Sequence, residues 1–233
     1  MTSAAMTTGV MTIAVNQYPE KSSVMVSYTE SFFGFGSVAA PAFTGPIYDS
    51  FGYTAPFIFV GGLLLLFTIA LIIILPGNGK TESKKDATEK RKIRLKEVMK
   101  LAHLYPGLIG LTVAHMSIAF VLAQLEPHIR FLNYSATNIG GLFLLMGLGY
   151  CISSPIFGIF CQKGFSPIHI MMLGQVLLMC GYMLIAPLTV LGNQPTLAML
   201  IAGLLLLGIG SGASKSPSFV HILKVMMEKI TFV

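Results

Sequence analysis

Two carboxylates stand in or beside long apolar stretches, and they are the side chains of this sequence best placed to do chemistry. Glu30 is the only charge in residues 24–48, and Glu126 directly follows the uncharged residues 104–125. Ionisable groups inside a membrane mark pathways for ions and substrates, and a carboxylate withdrawn from water gains affinity for protons. Either residue can therefore exchange a proton for a cationic amine. In the alternative interpretation Glu30 reaches water near the end of its helix, and Glu126 is a solvated cap at the membrane face.

His115 is the third residue of this kind. It precedes Glu126 by eleven residues, which places both on one face of a helix, ~16 Å apart along the axis. An imidazole that titrates near neutrality can relay protons. The alternative is a buried neutral ring bonded to a neighbouring helix.

The elements that position these residues are apolar segments long enough to span a bilayer. Hydrophobic residues make up 54% of the 233-residue chain and charged residues only 10%. A helix needs ~20 apolar residues to cross the hydrocarbon core. The sequence predicts an integral, multi-pass, all-α membrane protein with the lipid bilayer as its surroundings. Six spans are expected after an apolar stretch at 1–16, namely 24–48, 54–76, 104–125, 139–161, 167–187 and 196–214.

A basic loop at residues 77–100 sets the predicted topology. It holds nine of the fifteen Lys and Arg residues, and short basic loops collect on the cytoplasmic side. The loop around Arg130 is then lumenal or outer, and the remaining basic residues, Lys215 among them, fall on the cytoplasmic side. This bias explains the net charge of +6, so no nucleic-acid partner is predicted.

Small residues mark one face of the first full span. Glu30, Gly34, Ser37 and Pro41 share that face at helical spacing. Small residues let membrane helices approach closely. We therefore expect this face to pack on protein or to line a cavity, with Glu30 turned away from lipid.

Three motifs resemble one family. Residues 36–48 (GSVAAPAFTGPIY) resemble the glycine-proline motif in the fifth helix of antiporters of the major facilitator superfamily. Residues 125–127 (Leu-Glu-Pro) resemble the end of the seventh helix of its vesicular amine transporters, and residues 156–164 resemble the end of the eighth. The resemblance implies a helix-packing motif formed by Gly36, Pro41, Gly45 and Pro46.

The resemblance also implies an organisation, a partial bundle from the end of helix four to just past helix ten. Residues 1–76 would be the last part of an N-terminal transmembrane bundle, and 77–103 a cytoplasmic basic linker. Residues 104–233 would be the first part of a C-terminal bundle. The chain is then expected to be incomplete, with missing helices or a full-length copy as its partner.

Two positions depart from the family pattern. Gln162 stands in a loop that often carries an acid, and Lys215 stands about where monoamine carriers have an Asp in the tenth helix. A lysine facing a cationic substrate would repel it. The polyamine-transporting branch is therefore the closer match.

The resulting prediction is proton-coupled antiport of an organic cation, polyamine or monoamine-like, across a vesicular or other organelle membrane, with the plasma membrane as an alternative. A rival from another class is a non-transporting membrane polypeptide that associates with a full-length partner. No nucleophile–base pair, metal spacing or phosphate-binding loop is present in the sequence, so neither an enzyme, a metal nor a cofactor is predicted. The three cysteines lie in apolar runs and are interpreted as small buried hydrophobes.

Overall fold

A computed structural model describes the chain over residues 9–13, 17–18, 21–74, 101–129, 134–186 and 196–231. The predicted cytoplasmic loop at 77–100 and the predicted outer loop around Arg130 lie outside these ranges. Their placement on opposite sides of a membrane stays a prediction.

The described residues form six long helices with short connections, and they contain no strand. They are α1 (Ser22–Phe51), α2 (Ala55–Ile74), α3 (Tyr105–Ile129), α4 (Ala136–Gln162), α5 (Pro167–Ile185) and α6 (Leu197–Thr231), with a 3₁₀ turn at Ala102–Leu104 before α3. The prediction of an all-α membrane helix bundle is confirmed at the level of fold class.

Four of the described segments are long and apolar enough to cross a bilayer, judged by length and composition: Ala102–Ile129, Ala136–Gln162, Pro167–Ile185 and Leu197–Met227. The first two predicted spans are not among them. In α2 the shorter segment Ala55–Ala70 is apolar. The helix α1 is continuous, but many serine, glycine and threonine residues interrupt its apolar sequence. Much of the polar surface of α1 is turned towards other helices rather than towards lipid.

The helix ends follow local chemistry. Gly52 takes a positive φ of 78° after α1, a conformation that glycine adopts without steric cost, and it starts the turn into α2. Ser135 caps α4, since its hydroxyl accepts a hydrogen bond from the Asn138 N–H at 3.3 Å. Gly164, with φ of 97°, ends the turn region after α4, and Pro167 opens α5.

The core forms where α1 packs along α4 and where α6 packs against α3, α4 and α5. Glycines bring the backbones together: a Cβ on Gly149 would lie 3.1 Å from the Leu205 carbonyl oxygen, and one on Gly174 would lie 2.7 Å from the Ser214 nitrogen. Close approach of this kind is how membrane helices gain packing energy. The buried apolar residues around these contacts include Val38, Met146, Tyr150, Leu200, Leu204 and Leu207.

Helix α2 is the peripheral element. Its large side chains are exposed, among them Phe57, Leu64, Phe67 and Ile72. Within the described residues it packs chiefly on α1. An apolar surface of this extent suits contact with lipid or with further membrane helices.

The end of the last span differs from the prediction. The sequence pattern placed the span end at Ser214 and Lys215 on the aqueous side. The helix instead continues through Pro217 to Thr231, and Lys215 is only 2% exposed. The prediction ended the span before Lys215 because an isolated lysine is costly in hydrocarbon. That reasoning fails here because another helix supplies the counter-charge.

Candidate functional site

The counter-charge to Lys215 is Glu30. The Lys215 Nζ lies 3.4 Å from the Glu30 Oε2, and each side chain is 2% exposed. Glu30 belongs to α1 and Lys215 to α6, so the pair joins the helices before residues 75–100 to those after them. Glu30 is turned away from lipid and does not reach water in the described structure.

Aromatic side chains complete the surroundings of this pair. The Tyr150 hydroxyl of α4 donates to the Glu30 Oε2 at 3.3 Å. The Lys215 Nζ lies 5.3 Å from the centroid of the Tyr150 ring and 5.8 Å from that of the Phe33 ring, within the range of a cation–π interaction. We call Glu30, Lys215 and Tyr150 the buried charge cluster; Phe33, whose side chain is 44% exposed, lies beside it.

Gly34 creates the space for Tyr150. It lies one turn after Glu30 in α1, and a Cβ at this position would overlap the Tyr150 ring. Because Tyr150 is completely buried, the ring has little room to retreat. The glycine therefore permits the hydrogen bond between α4 and α1.

A layer of serines lies beside the cluster. The hydroxyls of Ser27 and Ser216 bond to each other across α1 and α6, and the Ser154 hydroxyl donates to the Ser27 carbonyl at 3.1 Å. The Ser31 hydroxyl donates to the Cys151 carbonyl at 2.7 Å. The cluster is therefore held by polar contacts among α1, α4 and α6, which fix the positions of its charged groups.

Glu126 lies in a different place. It lines a cleft of 560 Å³ formed by the ends of α1 and α3 and the starts of α2 and α4. Three tyrosines and two phenylalanines share this lining: Tyr48, Tyr53, Tyr134, Phe57 and Phe143. Glu126 is exposed. A carboxylate among aromatic rings is chemically suited to an organic cation. We call this space the Glu126 cleft.

Asp49 ties the helices around the Glu126 cleft together. Its carboxylate accepts hydrogen bonds from the N–H groups of Ala136 (3.3 Å) and Thr137 (2.9 Å), and from the Thr137 hydroxyl (2.6 Å). These are first-turn donors of α4 that have no partner within the helix, and a negative charge is favourable at this end. The contact links the end of α1 to the start of α4.

His115 is not among the residues that line the Glu126 cleft. Its Nδ1 lies 3.0 Å from the Leu111 carbonyl oxygen of its own helix, and the side chain is exposed. The alternative interpretation expected a buried ring bonded to a neighbouring helix, whereas this ring is exposed and bonds to its own helix. A proton relay through His115 stays a prediction.

The four residues of the expected packing motif have different environments. A Cβ on Gly45 would lie 2.6 Å from the Ala136 carbonyl oxygen, and one on Gly140 would lie 2.5 Å from that of Pro41. Gly45 and Pro41 therefore lie where α1 meets α4. Gly36 faces open space in the described chain, with nothing within 4 Å of a built Cβ, and Pro46 is exposed.

The sequence pattern missed the partnership of Glu30 with Lys215 and Tyr150. Lys215 was interpreted as an obstacle to a cation because its counter-charge comes from a distant helix. One signal was available, since an acid and a base that each stand within a long apolar pattern are candidates to pair. Among the described residues, no group of three or more His, Cys, Asp or Glu side chains is arranged to hold a metal ion.

Comparison with known proteins supplies independent information. The family described as Major Facilitator Superfamily matches residues 1–231. The protein named "MFS-type transporter SLC18B1" of Homo sapiens is 30% identical over 232 residues, covering 97% of this chain and 48% of the human protein. The protein of that name from Rattus norvegicus is 30% identical over 217 residues, covering 91% and 45%. The chain thus spans about half the length of the curated relatives it matches.

Proposed function

Since the chain belongs to the Major Facilitator Superfamily, we propose that the whole protein is a membrane transporter that exchanges protons for a small organic cation. Here the term whole protein denotes residues 1–233 together with any sequence that flanks them in the cell. The substrate class is an amine, polyamine or monoamine-like, and the membrane is that of a vesicle or another organelle. The similar proteins named as transporters support the general class of activity.

The observation that carries this proposal is the lining of the Glu126 cleft. Glu126 supplies a negative charge, while Tyr48, Tyr53 and Tyr134 supply ring faces and hydroxyls. Rings attract an ammonium through their quadrupole, and the attraction is larger when the cation is partly desolvated. The cleft therefore offers both kinds of contact that an organic cation requires.

Coupling to protons follows from competition at one carboxylate. A proton and an ammonium both neutralise Glu126, so binding of one releases the other. In the predicted topology the cleft opens to the lumenal or outer side. An acidic lumen would protonate Glu126 there and release the amine. After a change of access, neutral cytosol would remove the proton and restore amine binding.

Alternating access requires two bodies that move against each other. We assign residues 1–76 and 104–233 to parts of two bundles, joined by the linker at 77–103. The contact of α1 with α4 and α6 is then the surface along which the bundles meet. Glu30 lies on this surface with Lys215, which makes it the second candidate for proton coupling.

Lys215 presents less of an obstacle to a cationic substrate than its position in the sequence indicated. Its charge lies 3.4 Å from the Glu30 carboxylate and is compensated within the protein. A cation near α6 therefore meets an approximately neutral pair rather than a lone positive charge. This weakens the objection to monoamine transport that the sequence position of Lys215 raised.

Replacement of Glu126 by Gln tests the proposal. Gln keeps the shape of the side chain and removes its charge and its titration, so we expect proton-driven uptake of amines by the whole protein to be abolished while expression stays near normal. Uptake of labelled amines into vesicles with an imposed pH gradient is the measurement. Glu126→Asp is the matched control, because it keeps a charged, titrating carboxylate in the Glu126 cleft, and it should retain a pH-dependent uptake. Unchanged uptake by Glu126→Gln would exclude this residue.

A second candidate function is a membrane polypeptide without transport activity that associates with a full-length copy of the carrier. The exposed apolar surface of α2 favours it, because such a surface can pack on further membrane helices. The two functions differ in one measurable respect. Co-expression of the 233-residue chain would lower uptake by the whole protein if it acts in this way, and would leave it unchanged otherwise.

A further inference from the structure

We propose that Asp49 is a positioning residue of the Glu126 cleft, because it holds the α1 wall and the α4 wall of that cleft at a fixed separation. This role rests on the proposed function and extends it to a residue outside the cleft lining. Asp49 therefore acts on a bound amine only through its neighbours.

The hydrogen bonds of Asp49 join the last turn of α1 to the first turn of α4. Its Oδ1 accepts from the Ala136 N–H at 3.3 Å, and its Oδ2 accepts from the Thr137 N–H at 2.9 Å and from the Thr137 hydroxyl at 2.6 Å. Hydrogen bonds to a charged group that engage both of its oxygens fix geometry as well as adding energy. The three bonds therefore set both the separation and the orientation of the two helix ends. We call them the Asp49 clasp.

Two tyrosines of the Glu126 cleft stand next to the clasp in the sequence. Tyr48 directly precedes Asp49, and Tyr134 lies two residues before Ala136. One of these tyrosines therefore belongs to each side of the contact between α1 and α4. A cation held by aromatic rings needs them within a short, set distance, and a site that is ordered before its ligand arrives binds it more tightly. The clasp supplies this order.

Packing beside the clasp holds the two helices together without it. A Cβ on Gly45, one turn before Asp49, would lie 2.6 Å from the Ala136 carbonyl oxygen. One on Gly140, one turn after Ala136, would lie 2.5 Å from the Pro41 carbonyl oxygen. Loss of the clasp should therefore loosen the two helix ends without separating the helices. We expect amine binding to change more than stability.

The opposite end of α4 is held by a neighbour of a different kind. The Lys224 Nζ donates to the Cys161 carbonyl oxygen at 3.2 Å, an acceptor in the last turn of α4. Lys224 belongs to α6, which we assign to the same bundle as α4, whereas Asp49 belongs to the bundle before the linker. Of these two charged caps, Asp49 is thus the one that bundle movement must rearrange.

The test compares amine uptake by variants of the whole protein. Labelled spermidine and 2-phenylethylamine are the probes, one a polyamine and the other a monoamine. Asp49→Ala should raise the KM of a transported probe about tenfold, because the tyrosines are no longer ordered before binding. The maximal rate should change little, as for a loss of binding that is equal in the ground state and the transition state. Thr137→Val removes one bond of the clasp and should raise the KM less.

Two further variants separate the clasp from a general loss of helix capping. Asp49→Ala/Thr137→Val should have the KM of Asp49→Ala, because both substitutions remove the same contact. Lys224→Met is the matched control, since it removes the cap at the other end of α4 and should leave the KM unchanged. An unchanged KM in Asp49→Ala, or an equal rise in Lys224→Met, would overturn the proposal.

A second measurement is independent of uptake. Spin labels at Phe51→Cys and Gly141→Cys, two exposed positions outside the cleft lining, report the separation of the helix ends in a whole protein whose native cysteines are replaced. The distance distribution should be narrow with Asp49 and broad with Asp49→Ala, and an unchanged distribution rejects the clasp. Broadening together with no uptake of either probe by the wild type would reject the proposed function and keep Asp49 as the residue that orders the cleft walls.

Discussion

The two candidate carboxylates occupy opposite environments. Glu30 is enclosed by three helices and its charge is balanced by Lys215. Glu126 is exposed in a cleft whose lining is mainly aromatic and apolar. Sequence spacing made the two residues look alike, as single acids associated with apolar stretches. In the structure, Glu30 is buried and Glu126 is exposed.

The difference concerns how far each carboxylate is withdrawn from water. Burial of two charges costs more than their attraction returns unless the geometry and the remaining hydrogen bonds are favourable. The buried charge cluster meets this requirement within the chain, so Glu30 contributes to the joining of α1, α4 and α6. The Glu126 carboxylate faces a space large enough for a ligand. Substitutions should therefore affect stability at the first region and transport at the second.

The largest effect should come from removing one charge of the buried pair. Lys215→Met keeps much of the side-chain volume and leaves Glu30 uncompensated, so it should destabilise the protein by about 3–5 kcal/mol. Glu30→Gln/Lys215→Met removes both charges and should lie much closer to wild type. Unfolding measurements on the single and double variants in detergent give the coupling between the residues. Additive effects would show that the pair contributes nothing as a pair.

An intermediate effect is expected at Gly34, which supports the cluster. Gly34→Ala places a methyl group against the Tyr150 ring, and overpacking of this kind costs about 1–3 kcal/mol. Gly36→Ala is the matched control in the same helix. Its methyl group meets open space, and alanine is favoured over glycine in a helix by about 0.5–1 kcal/mol.

The two alanine substitutions should therefore shift the unfolding midpoint in opposite directions. Thermal unfolding of the two variants under the same detergent conditions measures both shifts. If Gly34→Ala were neutral, the Tyr150 ring would have room to move, and the contact between α4 and Glu30 would be looser than the structure indicates.

The smallest effect on overall stability is expected at Asp49, on the side of the Glu126 cleft. Asp49→Ala removes the acceptor for the N–H groups of Ala136 and Thr137. Water can replace much of this bonding because the site is exposed. Hydrogen exchange should become faster at the start of α4, with little change in the global unfolding midpoint.

Asp49→Asn is the graded control, because the amide oxygen still accepts one of these bonds. It should show a smaller acceleration of exchange than Asp49→Ala. Equal exchange rates in wild type and Asp49→Ala would mean that the α1–α4 link at the cleft is maintained by packing alone, for instance at Gly45.

Much of the fold class could be read from the sequence because the bilayer imposes simple rules. Apolar stretches of about twenty residues predict helices, and such helices are confirmed for four described segments. Local patterns also placed small residues of α1 against other helices, as at Gly34 and Gly45. At Gly36 the described chain leaves open space, so the contact expected there stays a prediction.

The candidate sites depended more strongly on tertiary structure. Sequence reasoning singled out Glu30 and Glu126 since charges are rare in apolar segments, but it could not distinguish a buried carboxylate from an exposed one that lines a cleft. Tyr150 is 120 residues from Glu30 in the chain, and a hydrogen bond over such a separation leaves no local periodicity. Hydrophobic patterns indicate which residues are withdrawn from water. Only the packing of α1, α4 and α6 decides which charge meets which, because a counter-ion acts across space and not along the chain.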